Sequence, residues 1–311
     1  MSVLQTAKSL AIQTGREVID DDIPSLSAAI AYYTVFSLPP LLVVVVGLAG
    51  AVFGPDKVQD ALLGQAKGLV GPEGGAAMRA MIENAGSLGT GIGAKLAGVG
   101  ALLFGAAGAF GQLQKALNRA WEVEEARQGL KGFIVKRFLS FGIVLTIAFL
   151  LLVSLAVSAA LSSVGDMASG AVPSGMAQEL VQVLNIVASL GIITVLFAVM
   201  FKTLPDAQIA WRDVWIGGLA TSLLFTIGKT AIGFYLGTAD PGSAFGAAGA
   251  LALILIWIYY SALIVLVGAE FTQVWAVREG RGIKPDDADG ASGAAGDEIH
   301  PLASPRDPAP Y

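Results

Sequence analysis

From Asp22 to Asp56 the chain carries no intervening Asp, Glu, Lys, Arg or His. A bilayer core of about 30 Å needs only about 20 apolar helical residues, so this interval is long enough to cross a membrane. Comparable uncharged intervals recur from Lys95 to Lys115, from Arg137 to Asp166 and from Glu179 to Lys202. The interval from Asp213 to Asp240 is broken only by Lys229, and the one from Asp240 to Glu270 is not broken at all. Such runs are apolar around the whole helix rather than along one stripe, which leaves a water-soluble fold no polar face to present. The pattern predicts an all-α polytopic membrane bundle with six transmembrane helices, at about residues 28–53, 96–114, 138–163, 181–201, 214–237 and 246–273. Charged residues make up 14% of the 311, against about 25% in typical soluble domains.

Short connections rich in Lys and Arg stay in the cytoplasm. The stretch from Lys115 to Arg137 holds six of them, the Lys202–Asp213 connection two, the tail four and the N-terminus two, whereas the long connection between the first two spans holds four. Both termini are therefore expected inside. Residues 1–22 are expected to form a cytoplasmic amphipathic helix lying in the interface, with Leu4, Ala7, Ala11 and Val18 on one face. Lys8 and Arg16 interrupt that stretch too early for a cleavable signal. Asp20, Asp21, Asp22 and Pro24 should end it and open the next helix. Residues 54–93 carry two short helical patterns on either side of Gly71-Pro72, predicting a periplasmic helical hairpin that rests on the membrane. Residues 276–311 are expected to be a disordered cytoplasmic tail, being rich in Pro, Gly, Ala and Asp from Lys284 onward.

The same composition excludes several chemistries. The chain has no cysteine and one histidine, His300 in the tail, so neither a thiolate nucleophile nor a histidine-based metal site is expected. No phosphate-binding loop, dinucleotide fingerprint or catalytic triad pattern is visible, and neither an enzyme nor a cofactor is expected. A net charge of −5 lacks the basic footprint of a nucleic-acid binder.

Three stretches carry a resemblance. Residues Ser27 to Leu41, with Tyr32-Tyr33-Thr34-Val35-Phe36-Ser37-Leu38-Pro39-Pro40, resemble the opening span of the BrkB/YihY-like family of bacterial inner-membrane proteins. Leu117-Asn118-Arg119-Ala120-Trp121 resembles the pattern after that family's second span. Leu204-Pro205, Trp211-Arg212-Asp213, Lys229, Tyr235, Gly246 to Ala250, Trp257-Ile258-Tyr259 and Gly268-Ala269-Glu270 resemble its C-terminal half. Pro39 departs from the pattern, standing where an aromatic residue is expected. The resemblance implies a six-helix inner-membrane protein without an established activity. The family has also carried a ribonuclease label, against which the missing His and acidic ligand cluster argues.

Lys229 is the sharpest candidate, because a charge inside a span costs about 2.5 to 3.5 kcal/mol and is usually paired, in a cavity or snorkelling. It follows Trp215 by about 21 Å along a helix, which leaves it some 9 Å short of the outer interface, at about 1.5 Å per residue in a core of about 30 Å. It could snorkel outward, or hold an anionic group with the hydroxyls of Thr226 and Thr230 beside it. Tyr32 and Tyr33 are candidate cavity hydroxyls, or members of an aromatic belt. Pro39 and Pro40 predict a kink near the middle of the first span, supported by Thr34 or Ser37 or used as a binding site. Glu270, Asn118 and Arg212 read as structural polar residues, with Arg212, Lys202 or a helix terminus as Glu270's expected partner. Two functions fit: a transporter or lipid and amphiphile translocator whose partners are membrane lipids or an anionic or amphipathic molecule, and an envelope scaffold that tethers partners through its hairpin.

Overall fold

The computed structural model describes residues 3–86, 100, 108–123, 174–239, 249–281 and 283–285. The predicted span 138–163 lies outside the described residues, as do most of span 96–114, the end of the hairpin past Gly86 and the tail from residue 286. The described chain is helical: α1 (Val3–Asp20), α2 (Ile23–Phe53), α3 (Pro55–Gly86), α4 (residues 108–120), α5 (Ser174–Thr203), α6 (Trp211–Ala239) and α7 (Gly249–Arg278). Two short segments, Ala207–Gln208 and Lys284–Pro285, pair antiparallel as strands β1 and β2. Among the described residues three helices are long and apolar enough to cross a membrane: Gln182–Thr203 in α5, Trp211–Tyr235 in α6 and Leu251–Arg278 in α7.

Turn chemistry explains the boundaries. Asp22 adopts the left-handed conformation (φ 52°, ψ 40°) between α1 and α2, a region that Asp tolerates better than most residues, and Pro24 occupies the first turn of α2, where its missing N–H costs nothing. At the other end of α2, Gly54 takes φ +91°, which an L side chain would resist.

The main core lies where α2, α4, α5, α6 and α7 meet. Ile23 and Ile30 of α2, Leu117 of α4, Phe201 of α5, Val214 of α6 and Leu266 of α7 are all buried there, around Trp121. Helices α6 and α7 interlock through two reciprocal notches. A methyl group on Gly217 would meet the Thr272 side chain, and one on Gly268 would meet the Thr221 side chain. Small residues of this kind let helix backbones approach closely where lipid supplies no hydrophobic drive between helices.

Several segments that carry basic residues converge at one end of the bundle. Arg119 bridges Asp21 at 3.0 Å, Arg278 donates to Thr6 O and Ser9 Oγ, and Arg281 grips Asp213 with Nε and Nη2 at 2.7–3.2 Å. Asp206 accepts from Gln114 Nε2 and Asn118 Nδ2, while its own N–H donates to Asn118 Oδ1 at 2.9 Å.

On α1 the residues turned into the protein are Leu10 and Thr14, with Thr6, Glu17 and Val18 partly buried, whereas Ala7 and Ala11 are exposed. Helix α3 is continuous by hydrogen bonding over Pro55–Gly86, but a Cβ on Gly75 would meet Cγ of Lys67, where a straight helix would set the two positions about 12 Å apart; the chain therefore turns sharply between Lys67 and Gly75, around Gly71-Pro72. Ala77 and Met81 of α3 pack with Val35 and Leu38 of α2 and with Ile254 and Ile258 of α7. Val35 and Leu38 stand near the midpoint of α2, which runs from Ile23 to Phe53, so this part of α3 lies beside the middle of a long helix rather than on its rim. One expectation needs correction: the tail is not free from residue 276, since α7 continues to Arg278, Arg281 is salt-bridged, Ile283 packs on the core and Lys284–Pro285 form β2.

Candidate functional sites at Lys229 and Glu270

Lys229 lies on α6 with its side chain exposed, as are Thr226 and Thr230. Leu223, Ile227 and Phe234 are also exposed on α6, but at about 3.6 residues per turn they stand about 120–160° round the helix from Lys229, on a separate face. Both threonine hydroxyls donate to carbonyls one turn back on the same helix, Thr226 to Ser222 O at 2.7 Å and Thr230 to Thr226 O at 3.1 Å. Their protons are thus spent on backbone, as is usual for Thr inside a helix. Lys229 has no ion pair among the described residues. Tyr32 is exposed and makes ring contacts with Tyr33 and Phe36 at 5.6 and 4.8 Å, whereas Tyr33 lies against Gly108 of α4. No hydrogen bond among the described residues joins either tyrosine to the Lys229 group.

Helix α2 runs without interruption through Pro39 and Pro40. The Ser37 hydroxyl donates to Thr34 O at 2.8 Å, not to Val35 O or Phe36 O, the carbonyls that the two prolines leave without an N–H. Asn118 is buried and holds Asp206, as described above. Arg212 is exposed on the first turn of α6.

Glu270 departs most from expectation. It is 0% exposed, and neither carboxyl oxygen has a hydrogen-bond donor within range among the described residues. Arg212 and Lys202 are not its partners: Lys202 donates to Ile209 O at 2.6 Å and lies over the Trp211 ring. Other acids face it instead, and Asp21 interacts with it directly, carboxyl to carboxyl. Burial pushes the Asp21 carboxyl up, and the Arg119 guanidinium beside it offsets only part of that. Glu17 is pushed up by burial first and then by Glu122, Asp21 and Asp20. Thr14, Glu17 and Asp21 recur at helical spacing, on one face of α1 and the turn that follows it, and Thr14 Oγ1 is a further buried hydroxyl without a partner among the described residues. Sequence reasoning misses this cluster. The spacing of Thr14, Glu17 and Asp21 is its one visible sign, and it is masked when the helix is read from its apolar residues alone.

Comparisons with known proteins fit this architecture. A family model described as "Virulence factor BrkB" matches residues 14–291. A UPF0761 membrane protein of Alkalilimnicola ehrlichii is 31% identical over 256 residues, covering 80% of this chain and 54% of that protein. One from Photobacterium profundum is 26% identical over 286 residues, covering 88% of this chain and 85% of that protein. A third, from Verminephrobacter eiseniae, is 29% identical over 269 residues, covering 84% of this chain and 60% of that protein. The chain thus spans little more than half the length of several relatives it matches. No solved structure matches it.

Proposed function

The chain belongs to the BrkB family of membrane proteins, and from that premise we propose that it binds an anionic amphiphile at the lateral face of its bundle and moves it across the bacterial inner membrane. The observation that supports this reading is Lys229, a cation set within the otherwise uncharged interval from Asp213 to Asp240 and exposed on α6. A lipid-like molecule would offer an anionic head to the ammonium, with its acyl chain left in the surrounding bilayer. The exposure of Lys229 favours entry from the bilayer over entry through an enclosed aqueous pore. A purely snorkelling lysine is the competing account. A second reading, an envelope scaffold, draws support from the rigid notches between α6 and α7.

The two separate on binding. An anionic amphiphile that occupies the folded protein raises its stability by about 2.7 kcal/mol at a hundred times its Kd. Wild type should show such a thermal shift with an anionic single-chain lipid and not with its zwitterionic counterpart. Lys229→Met should fold as well as wild type and lose the shift, with Lys229→Arg retaining part of it. An unchanged shift in Lys229→Met would remove this residue from the function.

We also place six spans in the full bundle, a re-entrant or periplasmic hairpin at residues 54–93, and both termini in the cytoplasm, following the majority of basic residues that fall on one side. The absence of native cysteine permits a direct test with a membrane-impermeant thiol reagent on intact cells. Lys67→Cys should label and Arg127→Cys should not; the opposite pattern would invert the topology.

A further inference from the structure

We propose that Glu270 and Asp21 form a proton-binding site at the end of the bundle where α1, α4 and α7 meet. This site stands independently of any translocation past Lys229. Glu270 is fully enclosed, and its two oxygens lack any donor among the described residues. A carboxylate in such a place is costly unless it is paired, and the usual resolution is to take up a proton. Among the described residues, the groups around it supply no uncommitted cation to pair with it. From α1 come Thr14, Glu17 and Asp21, and from the end of α4 come Glu122 and Arg119, whose guanidinium is already committed to Asp21 at 3.0 Å. At the start of α6, Asp213 is bound by Arg281. Helix α3 meets α7 at Ile254, about 24 Å along the helix from Glu270. Among the described residues no three acidic groups converge closely enough to hold a metal ion, so the ligand chemistry favours a proton over a metal cation.

The exchange is simple. Glu270 carboxylate accepts a proton from water, and the resulting O–H donates to the Asp21 carboxylate, which Arg119 holds from its other side. The pair then carries one negative charge opposite one guanidinium. Loss of the proton leaves two adjacent carboxylates against that single cation, and the contact between α1 and α7 weakens. Acidic groups held above their ordinary values favour the folded state below their unfolded pKa, and that contribution fades as pH rises through the folded value. The upward direction for Asp21 and Glu17 gives the same sign.

The test is thermal unfolding of the purified full chain in detergent between about pH 5 and 9, once in sodium chloride and once in choline chloride. Each proton held by the folded state and released on unfolding lowers the folded-to-unfolded ratio about tenfold per pH unit. Wild type should lose stability as pH rises, equally in both salts. Glu270→Gln, which copies the protonated side chain, should match wild type at the acid end and lose one proton's share of that slope. An unaltered slope in Glu270→Gln overturns the proposal, and so does a slope that sodium alone suppresses, which would mark a metal cation instead. Should Glu270→Gln fail to fold, infrared spectra of the wild type labelled with carbon-13 glutamate decide: a carboxylic-acid band from glutamate at neutral pH supports the site, and its absence overturns it.

Discussion

Trp121→Ala is expected to destabilise the protein by about 3 to 5 kcal/mol, the usual cost of deleting a buried tryptophan. Trp121 follows the last turn of α4 and is 2% exposed. Its ring meets Phe201 of α5 edge to face at 5.7 Å, and its Nε1 donates to Ala269 O of α7 at 3.1 Å. One side chain thus joins three helices whose sequence positions are far apart. Trp121→Phe should recover most of the loss, because it keeps an aromatic ring against Phe201 and gives up one hydrogen bond of about 1 kcal/mol net. Denaturant titration in detergent measures both. A loss below about 1 kcal/mol for the alanine variant would show that the site collapses around the hole, and that Trp121 does not organise the core.

Gly268→Ala tests the interlock of α6 and α7 and should cost about 1 to 3 kcal/mol, the range for overpacking a well-filled site. The new methyl would run into Thr221, which is fully buried and whose hydroxyl is tied to Gly217 O at 2.7 Å. Rotation out of the way is therefore blocked. Thr221→Ala made in the same chain should restore most of the stability, because it removes the atoms that the methyl meets. Neighbours in contact are non-additive in this manner, with coupling of about 0.5 to 3 kcal/mol. Simple additivity would mean that the helices slide apart and the notch is not a fixed feature.

These features differ in how far the sequence exposes them. The long uncharged intervals make the spanning helices visible, because lipid imposes one length and one polarity on any helix that crosses it. The break at Asp22 and Pro24 is equally legible, since it rests on local backbone chemistry. Pairings between distant segments are not. Asn118 and Asp206 stand far apart in the chain, as do Asp213 and Arg281; nothing local marks either pair. Gly217 with Thr221, and Gly268 with Thr272, each sit one helical turn apart and become notches only once the two helices face each other. The second predicted span carries Gly98, Gly100, Gly105, Gly108 and Gly111, which draw notice by their density alone; of these, Gly108 proves to lie against Tyr33. Glu270 is recognisable as a buried polar residue, but its surroundings defy the habit that a buried acid has a basic partner. Here the neighbouring acids come from α1, a helix whose buried face is chosen by tertiary packing.

Reconstituted vesicles test the central claim that this protein translocates an anionic amphiphile past Lys229. A fluorescent anionic lipid is placed in the outer leaflet, and its loss from that leaflet is followed with a membrane-impermeant quencher. Vesicles with wild-type protein should exchange the lipid between leaflets faster than protein-free vesicles, and Lys229→Met, folded to the same thermal stability, should fall back to the protein-free rate. Equal rates with and without wild-type protein would contradict the account and leave the scaffold as the better description of this bundle.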